Sequence, residues 1–317
     1  MAGEGISRRG SDAVTDGEIA RAVELLQAGE LIGLPTETVY GLAADARSTA
    51  AVAKIFALKG RPPGNPLIVH VTDSAMARRY AADWPDTAEK LANAFWPGPL
   101  TMVLPKSEAI PSIVTAGGAT VGLRSPDHPI AQAVLRAFDG PLAAPSANRS
   151  NHVSPTTAAH VRDEFGDALS LVLDGGPCRV GIESTVIDLS SPRPRVLRPG
   201  SITIDQLQTA LGHEIVSPHP AAPPPAVLKS PGQLPVHYAP QTPAYRYEAQ
   251  QFNALDLTDA AALPLTLDAE AYARQFYARL RFLDSQNLRA LYIELPPATS
   301  QWNALRDRIL RATKPLP

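Results

Sequence analysis

The chain has 317 residues, of which 44% are hydrophobic and 19% are charged, so it can build one large or two modest folded domains. Its formal net charge is −2, and this near-neutral balance gives no reason to expect nucleic acid as a partner. The single cysteine, Cys178, excludes a disulfide framework and a thiolate zinc site within the chain. Because no apolar run approaches a membrane span and the N-terminus lacks a signal-type apolar core, we expect a cytoplasmic protein without a membrane partner.

The first part of the chain predicts helices that alternate with short apolar strands. Residues 1–14 are small and polar and predict a flexible end. Thr15 and Glu18 have the spacing of a capping box and predict the start of the first helix. An apolar strand at 31–34 then leads into polar residues at 35–42. Polar residues placed directly after a buried strand are where α/β proteins bind ligands, so this segment is a candidate binding loop.

The same alternation continues to about residue 211. Further helices are predicted at 48–58, 73–80, 86–95, 155–165 and 204–211, with another that Asp127 and Pro129 open. Further strands are predicted at 67–71, 100–104, 120–124, 141–145, 169–173, within 181–188 and within 195–200.

A proline-rich segment at 217–225 predicts polyproline II backbone, and the composition changes beyond it. The later elements are a helix at 269–283, a strand at 291–293 and a last helix around 302–309. We therefore place a first domain at 15–215, a linker at 216–242 and a small α/β C-terminal domain at 243–317.

Two cations flank a glycine at the predicted end of the second helix. Lys59 and Arg61 stand one residue apart, and Gly60 allows a sharp turn between them because it has no Cβ. A lysine point charge and an arginine fork on a rigid turn suit a phosphate group. A solvated helix end, where cations interact favourably with the helix dipole, would contain the same residues. The pair by itself therefore leaves both interpretations open.

Other polar residues lie inside or at the ends of predicted strands. His70 is inside one, where a histidine is more often a core residue than a ligand. Arg124 ends another, where an arginine clamps a carboxylate or phosphate as readily as it forms a surface ion pair. The cations on loops or strand ends are Lys59, Arg61, Arg124 and Arg198, and the polar residues grouped with them are Ser146, Asn148 and Ser184. Together they suit a polyphosphate and a small carboxylate.

On these motifs the first domain resembles the YrdC family of L-threonylcarbamoyladenylate synthases. The segments that carry the resemblance are Pro35-Thr36-Glu37-Thr38-Val39-Tyr40-Gly41-Leu42, Lys59-Gly60-Arg61 with Asn65-Pro66-Leu67, Phe95-Trp96-Pro97-Gly98-Pro99-Leu100-Thr101, Val121-Gly122-Leu123-Arg124, Pro145-Ser146-Ala147-Asn148 and Glu183-Ser184-Thr185-Val186. The long form of that family, which adds a C-terminal domain, is matched by Arg198-Pro199-Gly200, Ser230-Pro231-Gly232 and His237-Tyr238-Ala239-Pro240.

The resemblance implies a fold and an activity. The fold is α/β, a twisted mixed sheet of the YrdC-like type with a large concave, positively charged cavity, followed by the small C-terminal α/β domain. The activity is that of a nucleotidyltransferase: L-threonine, bicarbonate and ATP yield threonylcarbamoyl-AMP and pyrophosphate. Other proteins would then use this product to modify the adenosine beside the anticodon of certain tRNAs.

The resemblance also implies roles for individual residues. Catalysis would depend on Lys59 and Arg61. The residues expected to bind ATP are Lys59, Arg61, Asn65, Thr120, Ser146, Asn148, Ser154, Arg198 and, from the linker, Tyr238. The residues expected to bind threonine are Thr36, His70, Arg124, the backbone at Ala144, and Ser184. We also expect the linker from Ser230 to Pro240 to order over bound nucleotide.

The implied chemistry requires no covalent nucleophile. The threonine amine adds to carbon dioxide or bicarbonate, and an oxygen of the resulting carbamate attacks the α-phosphate of ATP. Mg²⁺ is expected with the triphosphate, because it prefers oxygen ligands. The sequence predicts no protein metal site: Glu37 and Glu183 are the nearest carboxylates, and a structural role suits each better.

Two alternatives use the same residues differently. A non-enzymatic RNA-binding module could hold a nucleic-acid backbone in a basic concavity, but the net charge of −2 and the lack of an aromatic stacking platform disfavour it. A carbamoyl transferase that uses carbamoyl phosphate would carry an additional zinc finger, which a chain with one cysteine cannot form.

Overall fold

The structure is a computed structural model that describes residues 14–216, 228–231 and 238–316. The expected flexible end at 1–13, the proline-rich segment at 217–225 and His237 of the linker motif lie outside the described residues. Within them, no helix combines the length and the apolar character needed to cross a bilayer.

Helices and strands alternate along most of the chain. The helices are α1 (Asp16–Gln27), α2 (Thr49–Lys59), α3 (Ser74–Arg78), α4 (Asp86–Phe95), α5 (Pro129–Phe138), α6 (Ala158–Phe165), α7 (Ile204–Leu211), α8 (Ala269–Asp284) and α9 (Asn303–Ala312). The strands are β1 (Ile32–Leu34), β2 (Gly41–Asp45), β3 (Ile68–His70), β4 (Leu100–Pro105), β5 (Thr120–Arg124), β6 (Leu142–Ala143), β7 (Thr185–Asp188), β8 (Arg195–Arg198), β9 (Ala244–Tyr247), β10 (Ala260–Leu263), β11 (Ala290–Glu294) and β12 (Lys314–Pro315). Short 3₁₀ helices occur at Gly166–Ala168, Ala249–Ala254 and Ser300–Trp302.

Local sequence signals fix the ends of the helices that matter for the site. The predicted capping box forms at α1, where Thr15 Oγ1 accepts from the Glu18 backbone N–H at 3.2 Å. At α2, Gly60 adopts a left-handed φ of 61° and ends the helix at Lys59, as the sequence predicts. That turn fixes where Lys59 and Arg61 leave the helix.

Eight strands form one mixed sheet in the order β1-β2-β6-β3-β5-β4-β7-β8. Strand β3 runs parallel to β5, and β4 runs parallel to β7, whereas the other neighbouring pairs are antiparallel. The register places His70 beside Arg124 and Val186 beside Arg198. The expectation of a twisted mixed α/β sheet is confirmed, and the register sets which side chains meet at its edge.

The C-terminal part has its own sheet and core. Strands β10, β11, β9 and β12 are all parallel and occur in that order. Helices α8 and α9 bury Tyr272, Phe276 and Ile309, among others, in this core. The same core includes Val39 and Ile182 from the first domain. The two domains therefore share apolar packing beside the edge where the site lies.

One predicted strand is wrong, and several strands of the structure were not predicted. Residues 169–173 do not form a strand: one bridge joins Val172 to Gly33, because β1 offers only three residues and the turn at 174–176 follows at once. Strand β2 was not predicted, since its small residues Gly-Leu-Ala-Ala-Asp have weak strand propensity. Strands β9 and β10 were not predicted either.

Candidate active site

Polar residues at the ends of several strands meet the linker around a hollow. It is lined by Thr36, Thr38, Val39, Gly41, Arg61, Ile68, His70, Arg124, Ala144, Pro145, Ser146, Glu183, Ser184, Arg198, Pro231 and Tyr238. Nine of these are residues that the sequence assigns to ATP or threonine binding: Thr36, Arg61, His70, Arg124, Ala144, Ser146, Ser184, Arg198 and Tyr238. Segments that are far apart in the chain therefore meet at one place.

Lys59 is buried directly behind the lining of the hollow. Only 2% of its surface is exposed, so the interpretation as a solvated helix end is wrong. Its ammonium donates to the backbone carbonyls of Ser146 and Asn148. Burial, with the charge of Arg61 as a second cause, lowers the pKa of Lys59 well below its usual value. Lys59 thus fixes the backbone of the segment that presents Ser146.

Two arginines, Arg61 and Arg198, line the hollow. Arg61 donates from Nε to the Asn65 carbonyl at 3.0 Å and from Nη2 to the Pro66 carbonyl at 2.7 Å. Arg198 donates from Nε to the Ser184 carbonyl and from Nη2 to Ser184 Oγ, both at 3.1 Å. Burial lowers the pKa of Arg61, and the nearby charge of Arg198 lowers it further. The side chains are held rigidly, and their positive charges concentrate at one end of the hollow.

Arg124 lies at the other end and forms a buried ion pair. Its Nη2 lies 2.7 Å from Glu37 Oε1, a close contact without hydrogen-bond geometry, and its Nη1 donates to Thr38 Oγ1 at 2.9 Å. Only 4% of Arg124 is exposed, which rules out the surface ion pair considered above. Thr36 Oγ1 lies 2.9 Å from Thr38 Oγ1 and donates to the Val39 carbonyl. The guanidinium is thus oriented before any ligand binds.

His70 is beside Arg124 and is held neutral. Burial, and then the charge of Arg124, lowers the pKa of His70 well below its usual value. Neither ring nitrogen has a hydrogen-bond partner among the described residues. A buried polar group without a partner is costly, so an incoming ligand that pairs with the ring would be favoured.

Besides Lys59, four predicted residues do not line the hollow. Asn65 and Asn148 are buried next to it, and the side-chain oxygen of each has no partner within the described residues. Ser154 is fully buried and donates to Glu183 Oε1 at 2.6 Å, so it acts on the hollow through Glu183. Thr120 lies at the start of β5, four residues before Arg124, and the structure does not bring it to the hollow.

Each of the two acidic residues at the hollow forms an ion pair with an arginine. Glu37 pairs with Arg124, and Glu183 accepts from Arg308 Nε at 2.8 Å. Burial raises the pKa of Glu183, but the charges of Arg308 and Arg198 outweigh this and bring it to about 2. Within residues 14–216, 228–231 and 238–316, no group of three His, Cys, Asp or Glu side chains is arranged to hold a metal ion.

The contribution of the C-terminal domain to this site was not predicted from the sequence. Tyr277 on α8 donates to Oε2 of Glu183 at 3.0 Å, and Arg308 on α9 is fully buried against the same carboxylate. One signal for Arg308 was available. It falls on the apolar face of α9, in line with Leu305 and Ile309, where a buried charge requires a partner.

Comparisons with known proteins agree with this geometry. Residues 24–200 match the Sua5/YciO/YrdC family model, described as "Telomere recombination", and residues 202–313 match the model of the threonylcarbamoyl-AMP synthase C-terminal domain. The chain is 44% identical over 326 residues to the threonylcarbamoyl-AMP synthase of Bacillus subtilis, covering 95% of this chain and 94% of that protein. It is 43% identical over 231 residues to the threonylcarbamoyl-AMP synthase of Pyrococcus abyssi, covering 72% of this chain and 67% of that protein.

A solved structure shows the same fold over almost the whole chain. The crystal structure of Pyrococcus abyssi Sua5 complexed with L-threonine superposes with a TM-score of 0.88 at 34% identity. The match covers 95% of this chain and 96% of that one. The chain therefore belongs to the Sua5/YciO/YrdC family, in the long form that carries the C-terminal domain of threonylcarbamoyl-AMP synthases.

Proposed function

We propose that this protein is a threonylcarbamoyl-AMP synthase, which converts L-threonine, bicarbonate and ATP to threonylcarbamoyl-AMP and pyrophosphate. The observation that supports it most is the convergence of Arg61, Arg124 and Arg198 on one hollow, with Lys59 directly behind it. These cations are buried, so water screens them weakly. A site of this kind suits a small ligand with both a polyphosphate and a carboxylate.

The end of the hollow at Arg124 is where we place threonine. Its carboxylate would meet the guanidinium, which Glu37 and Thr38 already orient, so little side-chain freedom is lost on binding. The neutral ring of His70 and the hydroxyl of Ser184 are close enough to line the same space and to pair with the polar groups of the amino acid. This placement leaves the threonine amine free to react.

The end at Arg61 and Arg198 is where we place the phosphates of ATP. Bicarbonate loses hydroxide to give carbon dioxide, and the threonine amine adds to its carbon and releases a proton, which forms water with the hydroxide. An oxygen of the resulting carbamate then attacks the α-phosphate. The bond from the α-phosphate to the bridging oxygen breaks, and pyrophosphate leaves with that electron pair. Fixed cations stabilise the charge that develops on the phosphoryl oxygens, and they need not reorganise during the step. Positioning and electrostatics therefore account for the residue types present.

We propose that Mg²⁺ arrives with ATP as part of the substrate. Glu37 and Glu183 are both paired with arginines, so neither is available as a ligand in this arrangement. We expect chelation by EDTA to abolish turnover, whereas equilibrium dialysis should detect no bound Mg²⁺ on the protein without ATP. Stoichiometric binding of Mg²⁺ to the protein alone would contradict this assignment.

The direct test is pyrophosphate release by the purified protein. We expect it only when ATP, threonine and bicarbonate are all present, and we expect mass spectrometry to detect threonylcarbamoyl-AMP. Folded protein that leaves ATP unchanged under these conditions would overturn the proposal. We propose that other proteins transfer the product to tRNA.

An RNA-binding module is the second candidate function. It requires cations that a polymer backbone can reach, whereas Lys59 is 2% exposed and Arg198 is 3% exposed. Salt-dependent RNA binding without ATP turnover would favour the module over the enzyme.

A further inference from the structure

A fully buried arginine of the C-terminal domain holds two strand ends of the first domain. Arg308 Nε donates to Glu183 Oε2 at 2.8 Å, and its Nη2 lies 3.5 Å from the backbone carbonyl of the same residue. Its Nη1 donates to the Pro199 carbonyl at 3.0 Å. The residues that it contacts lie directly before Ser184 and directly after Arg198. One side chain from α9 thus forms hydrogen bonds with both the segment that carries Ser184 and the segment that carries Arg198.

The two segments are also joined to each other inside the hollow. Arg198 donates to both the carbonyl and the hydroxyl of Ser184, and Thr101 Oγ1 lies 2.8 Å from the same hydroxyl. Strand pairing is irregular here, with a register shift between Val186 and Ile187. Because the ladder alone does not set the spacing of the strand ends at this point, side-chain contacts are needed to set it.

Arg308 also contacts the linker. Its guanidinium carbon lies 5.1 Å from the centre of the Tyr238 ring, a cation–π distance, and that ring lies 6.0 Å from the ring of Tyr277. Tyr277 donates to Glu183, as does Ser154. The carboxylate of Glu183 is therefore satisfied from three sides, and the network around it has one well-defined arrangement.

We propose that Arg308 is a positioning residue for the synthase reaction, which sets the separation of Ser184 and Arg198 and hence of the threonine and ATP subsites. It acts through Glu183, Pro199 and Tyr238 and does not line the hollow itself. The inference rests on the proposed function. It gives the C-terminal domain a specific part in substrate binding, because the guanidinium comes from α9.

The test compares Arg308→Gln with a matched control, Arg274→Gln. Arg274 on α8 also crosses between the domains, donating to the Arg179 carbonyl at 3.1 Å, but its side chain is half exposed and touches no residue of the hollow. The measurements are the KM for threonine, the KM for ATP and kcat from pyrophosphate release. Calorimetry adds the dissociation constant of threonine without turnover, and circular dichroism gives the folded fraction.

We expect Arg308→Gln to lower kcat/KM for threonine about a hundredfold, chiefly through KM, because displacing a binding group by about 1 Å costs this much. The calorimetric dissociation constant of threonine should rise in parallel, and Arg274→Gln should retain the wild-type constants. A structural role alone would reduce kcat in proportion to the unfolded fraction and leave KM unchanged, which would overturn the proposal.

A second variant covers the case in which Arg308→Gln does not fold. Glu183→Gln combined with Arg308→Gln removes both buried charges, and the same rise in KM is expected. Failure of both variants to fold would make Arg308 a stability residue and would also overturn the proposal. A wild-type protein that makes no product would instead overturn the proposed function, so the two failures can be distinguished.

Discussion

Burial changes the chemistry of the charged residues around the hollow. A cation in water is screened and hydrated, but Lys59 and Arg61 are held by backbone carbonyls and are 2% and 7% exposed. Their fields therefore act over the hollow at a lower effective dielectric constant. A phosphate that enters replaces contacts with neutral carbonyls by contacts with opposite charge. We propose that this arrangement of buried cations favours the binding of an anion.

Replacing Lys59 should affect activity much more than stability. Lys59→Met removes a cation and leaves the Ser146 and Asn148 carbonyls without their donor. We expect kcat/KM for ATP to fall about 10²–10³-fold, by analogy with the loss of a preorganised charge-stabilising donor. Unfolding free energy should fall by about 1–3 kcal/mol, the cost of unsatisfied buried groups.

The matched control is Lys106→Met. Lys106 also donates to a backbone carbonyl, that of Ile110, but lies away from the hollow. Kinetic constants of this variant should equal those of the wild type. Equal losses of activity in the two variants would show that Lys59 has no special relation to phosphate.

His70 should make stability depend on pH. Its pKa is lowered in the folded protein, whereas in the unfolded chain it returns to about 6.5, so the unfolded state binds more protons at acidic pH. The contribution of the neutral ring is thus complete above about pH 6.5 and is lost as the pH falls below it. We expect Tm to decrease between pH 7.5 and 5.5, and to decrease less in His70→Asn.

Other titratable groups account for the decrease of Tm with falling pH that remains in His70→Asn. His128 and His160 are also partly buried, and burial lowers the pKa of each. Protonation of Glu183 removes further stability at lower pH, as the pH falls from the ordinary pKa of this carboxyl, 4.5, to its pKa in the folded protein, about 2. Identical pH dependence in the wild type and His70→Asn would show that His70 is charged or exposed in the folded state.

At the scale of elements, the sequence predicted helices better than strands. The capping box at Thr15 and the glycine turn at Gly60 are local signals. Helix α1 begins, and helix α2 ends, where these signals predict. Strand β2 lacks such a signal because its residues are small, and 169–173 has a strand-like composition but only one paired position. Strand formation depends on a partner elsewhere in the chain, which composition does not reveal.

In the candidate site, the residues within local motifs were predicted from the sequence, whereas the contacts between distant elements were not. Residues within recognisable motifs, such as Arg61 and Ser184, were predicted and line one hollow. Their roles in binding ATP and threonine remain predictions. Glu37 was expected to be structural, yet its pairing with Arg124 could not be foreseen, and Arg308 lies outside every motif. Contacts between distant elements are set by tertiary packing, and a single sequence does not specify which partner a buried charge will find.

Lys229 attaches the start of the described part of the linker to the first domain. Lys229 donates to Asp188 Oδ2 and to Ser190 Oγ, both at 2.9 Å, and Pro231 lines the hollow two residues later. We expect Lys229→Met to raise the KM for ATP several-fold, because Pro231 is less well placed. The change in stability should be modest: Asp188 is buried, but the Lys229 side chain is 40% exposed, and partly exposed ion pairs contribute about 0–1 kcal/mol.

Lys54→Met is the control for this experiment. Lys54 is exposed to a similar extent as Lys229 and pairs with Glu30, and neither residue lines the hollow, so removal of Lys54 should leave KM unchanged. If both variants keep the wild-type KM, the attachment at Asp188 does not position the linker for nucleotide binding.

At the scale of the whole molecule, the C-terminal domain completes the site rather than being appended to it. Helix α8 supplies Tyr277 and α9 supplies Arg308, and both converge on Glu183. The Arg281 guanidinium on α8 forms a second attachment, at 3.0 Å from Glu164 of the first domain. Since the apolar core that includes Val39 also spans both domains, they are expected to unfold together.

A close approach between Gly181 of the first domain and helix α8 offers a test of this coupling. Gly181 has a φ of +81°, and a Cβ built on it would lie 2.5 Å from the Arg274 Cα and 2.6 Å from the Ala273 carbonyl oxygen of α8. Gly212 has a similar φ of +76°, but a Cβ there meets nothing within 4 Å. Alanine at the two positions therefore carries the same backbone strain, and only Gly181→Ala adds a clash between the domains.

We expect Gly181→Ala to lower the free energy of unfolding by about 1–3 kcal/mol more than Gly212→Ala does, which is the usual cost of overpacking. Because α8 is pushed away and carries Tyr277, the contact with Glu183 weakens and KM for threonine should also rise. Thermal denaturation and pyrophosphate release measure the two effects on the same samples. Equal stability and equal KM in the two variants would show that the separation of α8 from the first domain does not govern the site.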